Sequence, residues 1–133
     1  MGSVRLTVRI DFGAERALGP GKIRLLEAIG KTGSISRAGR ALGMSYRRAW
    51  LLIDDMNRTF RTAVVATQPG GVKGGGAALT PFGVALIENY RAIEARAAAA
   101  AMPRLQALEN SLRRKRARRQ KPLKTSIRAA TVR

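Results

Sequence analysis

The sequence predicts a mainly α-helical fold with one small β wing, which ends in a long helix. Three observations support this prediction. Two helical patterns are separated by a short connection that contains glycine, two short apolar segments flank a glycine-rich loop, and a long helical pattern follows a Thr-Pro pair. The length of 133 residues is that of one domain.

The N-terminal part begins with apolar residues at every second position from Val4 to Ile10, which predicts a half-buried strand. Gly19-Pro20-Gly21 then interrupts the chain. A helical pattern follows from Lys22 to Gly30, and Lys31-Thr32-Gly33 has the glycine typical of a helix C-terminus.

The next two helices are each preceded by a serine that predicts an N-cap, Ser34 for the second helix and Ser45 for the third. Only Gly43 and Met44 lie between the second helix and the second cap. A short connection of this kind is typical of a helix-turn-helix. Spacings of 4, 3 and 4 residues predict the core-facing row of the third helix, which is Ala49, Ile53, Met56 and Phe60.

Residues 63–67 and 77–80 predict two strands joined by the glycine-rich loop Gln68 to Gly76. Thr80 and Pro81 predict the start of a long helix, and we expect Pro103 to kink or end it. The order of strand, helix, helix-turn-helix, two-stranded wing and long helix predicts a winged helix-turn-helix.

Composition excludes several classes of function. Lysines and arginines number 26 against 8 acidic residues, which gives a net charge of +18, and the chain has no cysteine and no histidine. Disulfides, thiolate or imidazole metal sites and histidine proton shuttles are therefore excluded. No acidic pair has a spacing suited to acid–base catalysis, so we expect no enzyme, no catalytic residue, no cofactor and no metal.

Location and partners follow from the same composition. The chain has no apolar run long enough for a membrane span and no N-terminal segment of signal-peptide type, so we expect a cytoplasmic protein that binds no membrane. The most common large anion in the cytoplasm is nucleic acid, which a chain this basic is expected to bind.

The charge is concentrated at the C-terminus. Residues 113–133, the basic tail, contain ten basic residues and no acidic one, whereas residues 1–112 carry a net charge of +8. The basic tail has too few bulky apolar residues to fold alone, so we expect a folded domain over residues 1–112 and a disordered tail. The tail either adds solubility and non-specific attraction to polyanions or contacts DNA or RNA directly.

Residues 33–57, GSISRAGRALGMSYRRAWLLIDDMN, carry a resemblance to a known family. The residues that carry it are Gly33-Ser34-Ile35-Ser36, Ser45-Tyr46, Ala49-Trp50 and Met56-Asn57, followed by the glycine loop at 70–76, Leu79-Thr80 and Gly83. Together they are similar to the DNA-binding domain of ModE-type molybdate-responsive transcriptional regulators, relatives of the LysR-type winged helices. The resemblance covers residues 3–95. Full-length members of that family bind molybdate through a separate C-terminal module, for which about forty further residues leave no room. We therefore expect this chain alone to bind no molybdate.

The third helix of such a fold offers its first turn to the major groove of DNA. The candidate DNA-binding residues there are Ser45, Tyr46, Arg47 and Arg48. Arginine can pair with both acceptors on the guanine edge, and tyrosine can contact a phosphate or a thymine methyl. The alternative is that the two arginines form only a solvated basic surface.

Further candidates lie before the third helix and in the wing. Ser34 and Ser36 begin the second helix, where backbone N–H groups favour a phosphate, although Ser34 could act as a cap alone. Arg37 and Arg40 follow as phosphate contacts or solvent-facing residues. In the wing, Lys73, Gly74 and Gly75 could contact the DNA backbone; no Ser or Thr follows Lys73, so the loop is not a nucleotide-binding P-loop.

Trp50 has two interpretations. Its position beside Ala49 favours packing in the core or against the wing, and this is our prediction. In LysR-like relatives the equivalent position of the recognition helix faces the groove, which is the alternative.

These observations predict a sequence-specific DNA-binding transcriptional regulator. Readers of this type usually bind two half-sites, so we expect a homodimer formed through the long helix and the helix that begins at Lys22. The alternative is a nucleoid-associated or RNA-binding protein that uses its charge without regard to sequence.

Overall fold

The computed structural model describes residues 4–68 and 76–113, and it is a winged helix-turn-helix with a long C-terminal helix, as predicted. Among these residues, one hairpin precedes three successive helices, and a second hairpin precedes the fourth helix. In order they are β1 (Ile10–Phe12), β2 (Arg16–Leu18), α1 (Pro20–Thr32), α2 (Ile35–Ala41), α3 (Tyr46–Thr59), β3 (Val65–Thr67), β4 (Ala77–Leu79) and α4 (Pro81–Asn110).

The first strand differs from the prediction. Side chains from Val4 to Ile10 do alternate between half-buried and exposed, but strand pairing begins only at Ile10. The chain turns near Gly13, and β1 pairs with β2 in an antiparallel register that places Ile10 opposite Leu18. Because Gly19 and Pro20 end the hairpin so soon, β2 is too short to pair with residues 4–9. The prediction was therefore wrong about where the strand lies, and it missed β2.

The extended segment before β1 runs along α4 instead of along a strand. The Tyr90 hydroxyl donates to the carbonyl oxygen of Val8 at 2.6 Å, and the Val4 amide donates to a carboxylate oxygen of Glu109 at 3.3 Å. Val8 also packs against the hydrophobic core. The polar groups of α4 thus satisfy backbone groups that a neighbouring strand would otherwise bind.

The predicted helix ends are confirmed. The Ser34 and Ser45 hydroxyl oxygens each accept the amide N–H of the third residue onward, at 3.0 Å in both cases. Gly43, between α2 and α3, has a φ of 73°, and Gly33, which ends α1, has a φ of 68°. This left-handed conformation costs glycine nothing and other residues about 1 kcal/mol, so both turns depend on glycine.

The hydrophobic core lies between α1 and the elements that follow it. All four large apolar residues that α1 contributes are fully buried, and each contributes about 1.5–3 kcal/mol to folding. The predicted row of α3 is confirmed: its first three residues are buried, and Phe60 is half-buried in an edge-to-face contact with Phe12. The core residues are Leu18, Ile23, Leu25, Leu26, Ile29, Ile35, Ala38, Ala49, Ile53, Met56, Val64, Val65, Ala77, Leu86 and Tyr90.

Helix α4 continues through Pro103 to Asn110, so the proline does not end it. Proline removes one backbone hydrogen bond and its ring crowds the carbonyl four residues earlier, but the run of alanines before it favours helix strongly enough to offset this local cost. The buried residues of α4, Gly83, Leu86 and Tyr90, all lie in its first third. Its remaining length carries exposed apolar side chains, which are Ile93, Met102 and Leu108.

An ion pair ties α4 to α1. The Arg91 guanidinium donates to both carboxylate oxygens of Glu27, at 2.9 and 3.0 Å, and to Glu94 at 2.7 Å. These hydrogen bonds lower the pKa of Glu27, against the opposing effect of burial. Such two-point contacts fix orientation as well as distance, so α4 is held at a defined angle on α1.

The start of α4 is attached to the chain just before β3. The Thr80 amide donates to the carbonyl oxygen of Val64 at 3.0 Å, and the Thr80 hydroxyl donates to that of Ala63 at 2.7 Å. Gly83, whose N–H donates to the Thr80 hydroxyl oxygen, lies against the same Val64 carbonyl, with which a Cβ atom would collide.

We expect Gly83→Ala to destabilise the protein, although alanine favours helix, because the helix start must move away from Val64. Overpacking of this kind costs about 1–3 kcal/mol, which lowers Tm by several degrees in a domain of this size. Gly21→Ala in α1 is the matched control, since a Cβ there meets nothing within 4 Å. Thermal unfolding followed by circular dichroism measures both variants, and equal Tm values would contradict the close contact.

Candidate nucleic-acid interface

Helix α3 exposes the side opposite its core row. Successive residues of a helix point about 100° apart, so Arg47 points about 160° from the mean direction of Ala49, Ile53 and Met56. Arg48 lies about 100° from that direction, on one flank of the helix. Both arginines and Tyr46 are exposed. The structure thus brings together the four residues predicted for the first turn, Ser45, Tyr46, Arg47 and Arg48.

The acidic residues of α3 are neutralised by other cations. Asp55 binds Lys22 at 2.7 Å and Arg16 at 3.2 Å, and Asp54 binds Arg58 at 2.8 Å. Among the described residues, no ion pair involves Arg47 or Arg48. The N-terminal half of α3 therefore presents positive charge that is available to an anion.

The predicted residues of α2 are partly engaged in local bonds. The Ser34 oxygen accepts the Arg37 N–H, as a cap does, and the Ser36 oxygen accepts an N–H of the Arg40 guanidinium at 3.1 Å. Ser36, Arg37 and Arg40 are exposed. Contact between these residues and phosphate stays a prediction.

The two wing strands pair antiparallel, with Val65 opposite Leu79. The Gln68 amide donates to the Gly76 carbonyl oxygen at 2.9 Å, which continues the hairpin toward its tip. The predicted tip contacts, Lys73, Gly74 and Gly75, lie outside the described residues, so their role stays a prediction.

Asn57 joins α3 to the wing. Its side-chain oxygen accepts the amide N–H groups of Val64 and Val65 at 2.7 and 3.2 Å, and its side-chain nitrogen donates to the Val65 carbonyl at 3.2 Å. The side chain thus completes the backbone bonding where β3 begins. Sequence reasoning treated Asn57 only as a mark of the family resemblance. A polar residue one position after the buried Met56 was the available signal.

The prediction that Trp50 packs in the core was wrong, because its side chain is 44% exposed, and the other part of that prediction, packing against the wing, stays a prediction. Although Trp50 follows buried Ala49, one residue turns the helix by about 100°, which carries the side chain out of the core. Trp50 lies instead one helical turn after Tyr46, on the same side. That four-residue spacing was the signal that could have identified it.

The comparisons with known proteins agree with this geometry. Residues 21–84 match the family model described as bacterial regulatory helix-turn-helix protein, lysR family. The predicted resemblance is confirmed. The match extends from α1 through the wing to the first turn of α4, and so it includes the candidate interface.

Proteins with molybdenum-related names resemble the chain over the same part. It is 51% identical over 78 residues to the molybdenum-pterin-binding protein MopB of Rhodobacter capsulatus (59% of this chain, 29% of MopB). It is 42% identical over 90 residues to the molybdenum transport protein ModE of Azotobacter vinelandii (68% of this chain, 33% of that protein). It is also 42% identical over 71 residues to the DNA-binding transcriptional dual regulator ModE of Escherichia coli (strain K12), covering 53% of this chain and 27% of that regulator. The chain spans about a third or less of the length of these relatives.

A membrane-spanning helix and a cluster of metal ligands are both absent from residues 4–68 and 76–113. No helix there is both long and apolar enough to cross a membrane. Within the same ranges, no group of three or more acidic side chains is placed to hold a metal ion.

Proposed function

We propose that this protein is a sequence-specific DNA-binding transcriptional regulator that reads the major groove with α3. The observation that carries the proposal is the exposed first turn of α3, where Tyr46, Arg47 and Arg48 lie on a helix whose two acidic residues are already paired, within a lysR-like helix-turn-helix. A recognition helix must present free donors to base edges, and this helix does so. The name of the Escherichia coli relative, a DNA-binding transcriptional regulator, supports the same function.

We further propose that the protein acts as a homodimer through α4 together with α1. Beyond its buried first third, α4 exposes the apolar side chains of Ile93 and Leu108, which the angle of 100° per residue places within about 60° of each other. Exposed apolar side chains along one helix favour a partner surface, and a second copy would place two recognition helices on successive turns of DNA.

Genome-wide mapping of bound DNA tests specificity and symmetry together. We expect a recurring palindrome whose half-sites are separated by one helical turn, about 10–10.5 base pairs, or a multiple of it. Bound fragments without a shared motif would favour the sequence-independent alternative. A recurring motif without two-fold symmetry would leave specificity in place and contradict the dimer.

The two arginines of α3 are expected to differ. Arg47 points away from the core and is proposed to read a guanine, whereas Arg48 on the flank is proposed to bind a phosphate. Arg47→Ala should weaken binding to the mapped operator by about 1–3 kcal/mol and affect random duplexes far less. Arg48→Ala should weaken both to a similar extent. Equilibrium titrations at one fixed salt concentration measure the four affinities.

Arg47→Lys provides the control for charge. Lysine keeps the positive charge but lacks the two parallel donors of the guanidinium, so this variant should also lose operator preference. If Arg47→Lys binds the operator like the unchanged protein, Arg47 contacts a phosphate and reads no base.

The basic tail is proposed to tether the protein to DNA without reading it. Its ten positive charges would neutralise DNA phosphates and release the counterions bound to them. The logarithm of the affinity then falls with the logarithm of the salt concentration, with a slope of about 0.9 per phosphate contact. Deletion of residues 113–133 should reduce this slope by several units and weaken binding to all duplexes alike. Salt titrations on operator and scrambled duplexes measure both effects.

A full-length variant with the order of residues 113–133 scrambled is the matched control, because it keeps the charge. It should bind like the unchanged protein. An unchanged salt slope after deletion would show that the tail does not contact DNA, and loss of operator preference in either variant would show that the tail reads bases.

A further inference from the structure

The exposed side of α3 carries large apolar side chains as well as arginines. Tyr46 is 57% exposed, Trp50 is 44% exposed and Leu51 is 46% exposed. Exposed indole and leucine side chains on a helix that also has free cations indicate a surface that another molecule covers.

Trp50 is aligned with the polar readers of α3. It follows Tyr46 by four residues and Arg47 by three, and residues at both spacings lie on neighbouring parts of a helix surface. The indole therefore lies one turn further into the helix than the residues of the first turn, beside the guanidinium proposed to read a guanine.

The charge around Trp50 favours DNA over a second copy of this chain. A two-fold interface centred on Trp50 would bring the Arg47 side chains of both copies together, and the two acidic residues of α3 are already paired with other cations. A DNA groove offers the opposite charge along both of its edges.

We propose that Trp50 reads a thymine in the major groove by packing its indole against the C5 methyl group. This inference rests on the proposed function. The thymine methyl is the apolar group that base edges offer in that groove, and contact with it removes both the methyl and the indole from water. Trp50 thus adds preference for an A·T pair next to the position that Arg47 reads.

Intrinsic fluorescence provides a direct measurement, because Trp50 is the one tryptophan of the chain. We expect operator DNA to shift its emission to shorter wavelength and to protect it from acrylamide quenching. Emission and quenching that stay unchanged on saturation with operator would overturn the inference.

A double-mutant cycle, which combines Trp50 variants with single base changes in the operator, identifies the contact. Replacement of thymine by uracil removes only the C5 methyl, so single T→U changes across the mapped half-site should include one that weakens binding about fourfold, the value for burying one methyl-sized group. In Trp50→Ala that change should cost nothing further. Arg58→Lys, at an exposed residue of the last turn of α3, keeps the positive charge beside Asp54; it is the control and should keep the full fourfold loss.

Trp50→Phe separates apolar contact from a hydrogen bond donated by the indole N–H. Phenylalanine should keep most of the fourfold T→U effect, and it preserves the test if the alanine variant does not fold. A T→U penalty that is the same in all three Trp50 forms would overturn the inference while the Arg47 results and the mapped operator still support the proposed function. Failure to find any operator would instead overturn the proposed function.

Discussion

The backbone at Val64 and Val65 is the junction on which the rest of the winged helix depends. Asn57 of α3 and Thr80 at the start of α4 form hydrogen bonds with this backbone, and Gly83 lies directly against it. Hydrogen bonds with both backbone and side-chain groups leave this segment little freedom to move. The angle between α3 and the wing is therefore set at one point, together with the start of the long helix.

This junction relates the surface of α3 that is proposed to face DNA to the surface proposed for dimerisation. Because α4 begins at the same backbone to which α3 is attached, the direction of α4 also fixes the direction of the recognition helix. The Arg91–Glu27 pair holds α4 on α1 from the other side. In a dimer assembled through α4, these contacts would set the distance between the two α3 helices. That distance would determine the spacing of the two half-sites that such a dimer can bind.

Local signals predicted most of this fold, and long-range pairing explains what they missed. Ser34, Ser45 and Gly33 act within a few residues of their own position, so the helix ends could be read from the sequence. The β1–β2 hairpin could not, because the partner of an alternating segment depends on where the chain turns, and α4 took the place of a strand beside Val8. The burial of Ala49 does not extend to Trp50, because successive residues of a helix point about 100° apart.

The distribution of ion pairs explains how so basic a domain can keep a recognition surface free. Asp55 uses Lys22 and Arg16 to attach α3 to α1 and to the N-terminal hairpin, and these cations would otherwise repel one another. Asp55 lies on the flank of α3 away from Trp50, whereas the exposed Asp54–Arg58 pair lies on the side that carries Arg47, because residues seven apart are almost in line on a helix. Arg47 and Arg48 form no ion pair among the described residues, and in the proposed complex the phosphates of DNA would supply the opposite charge.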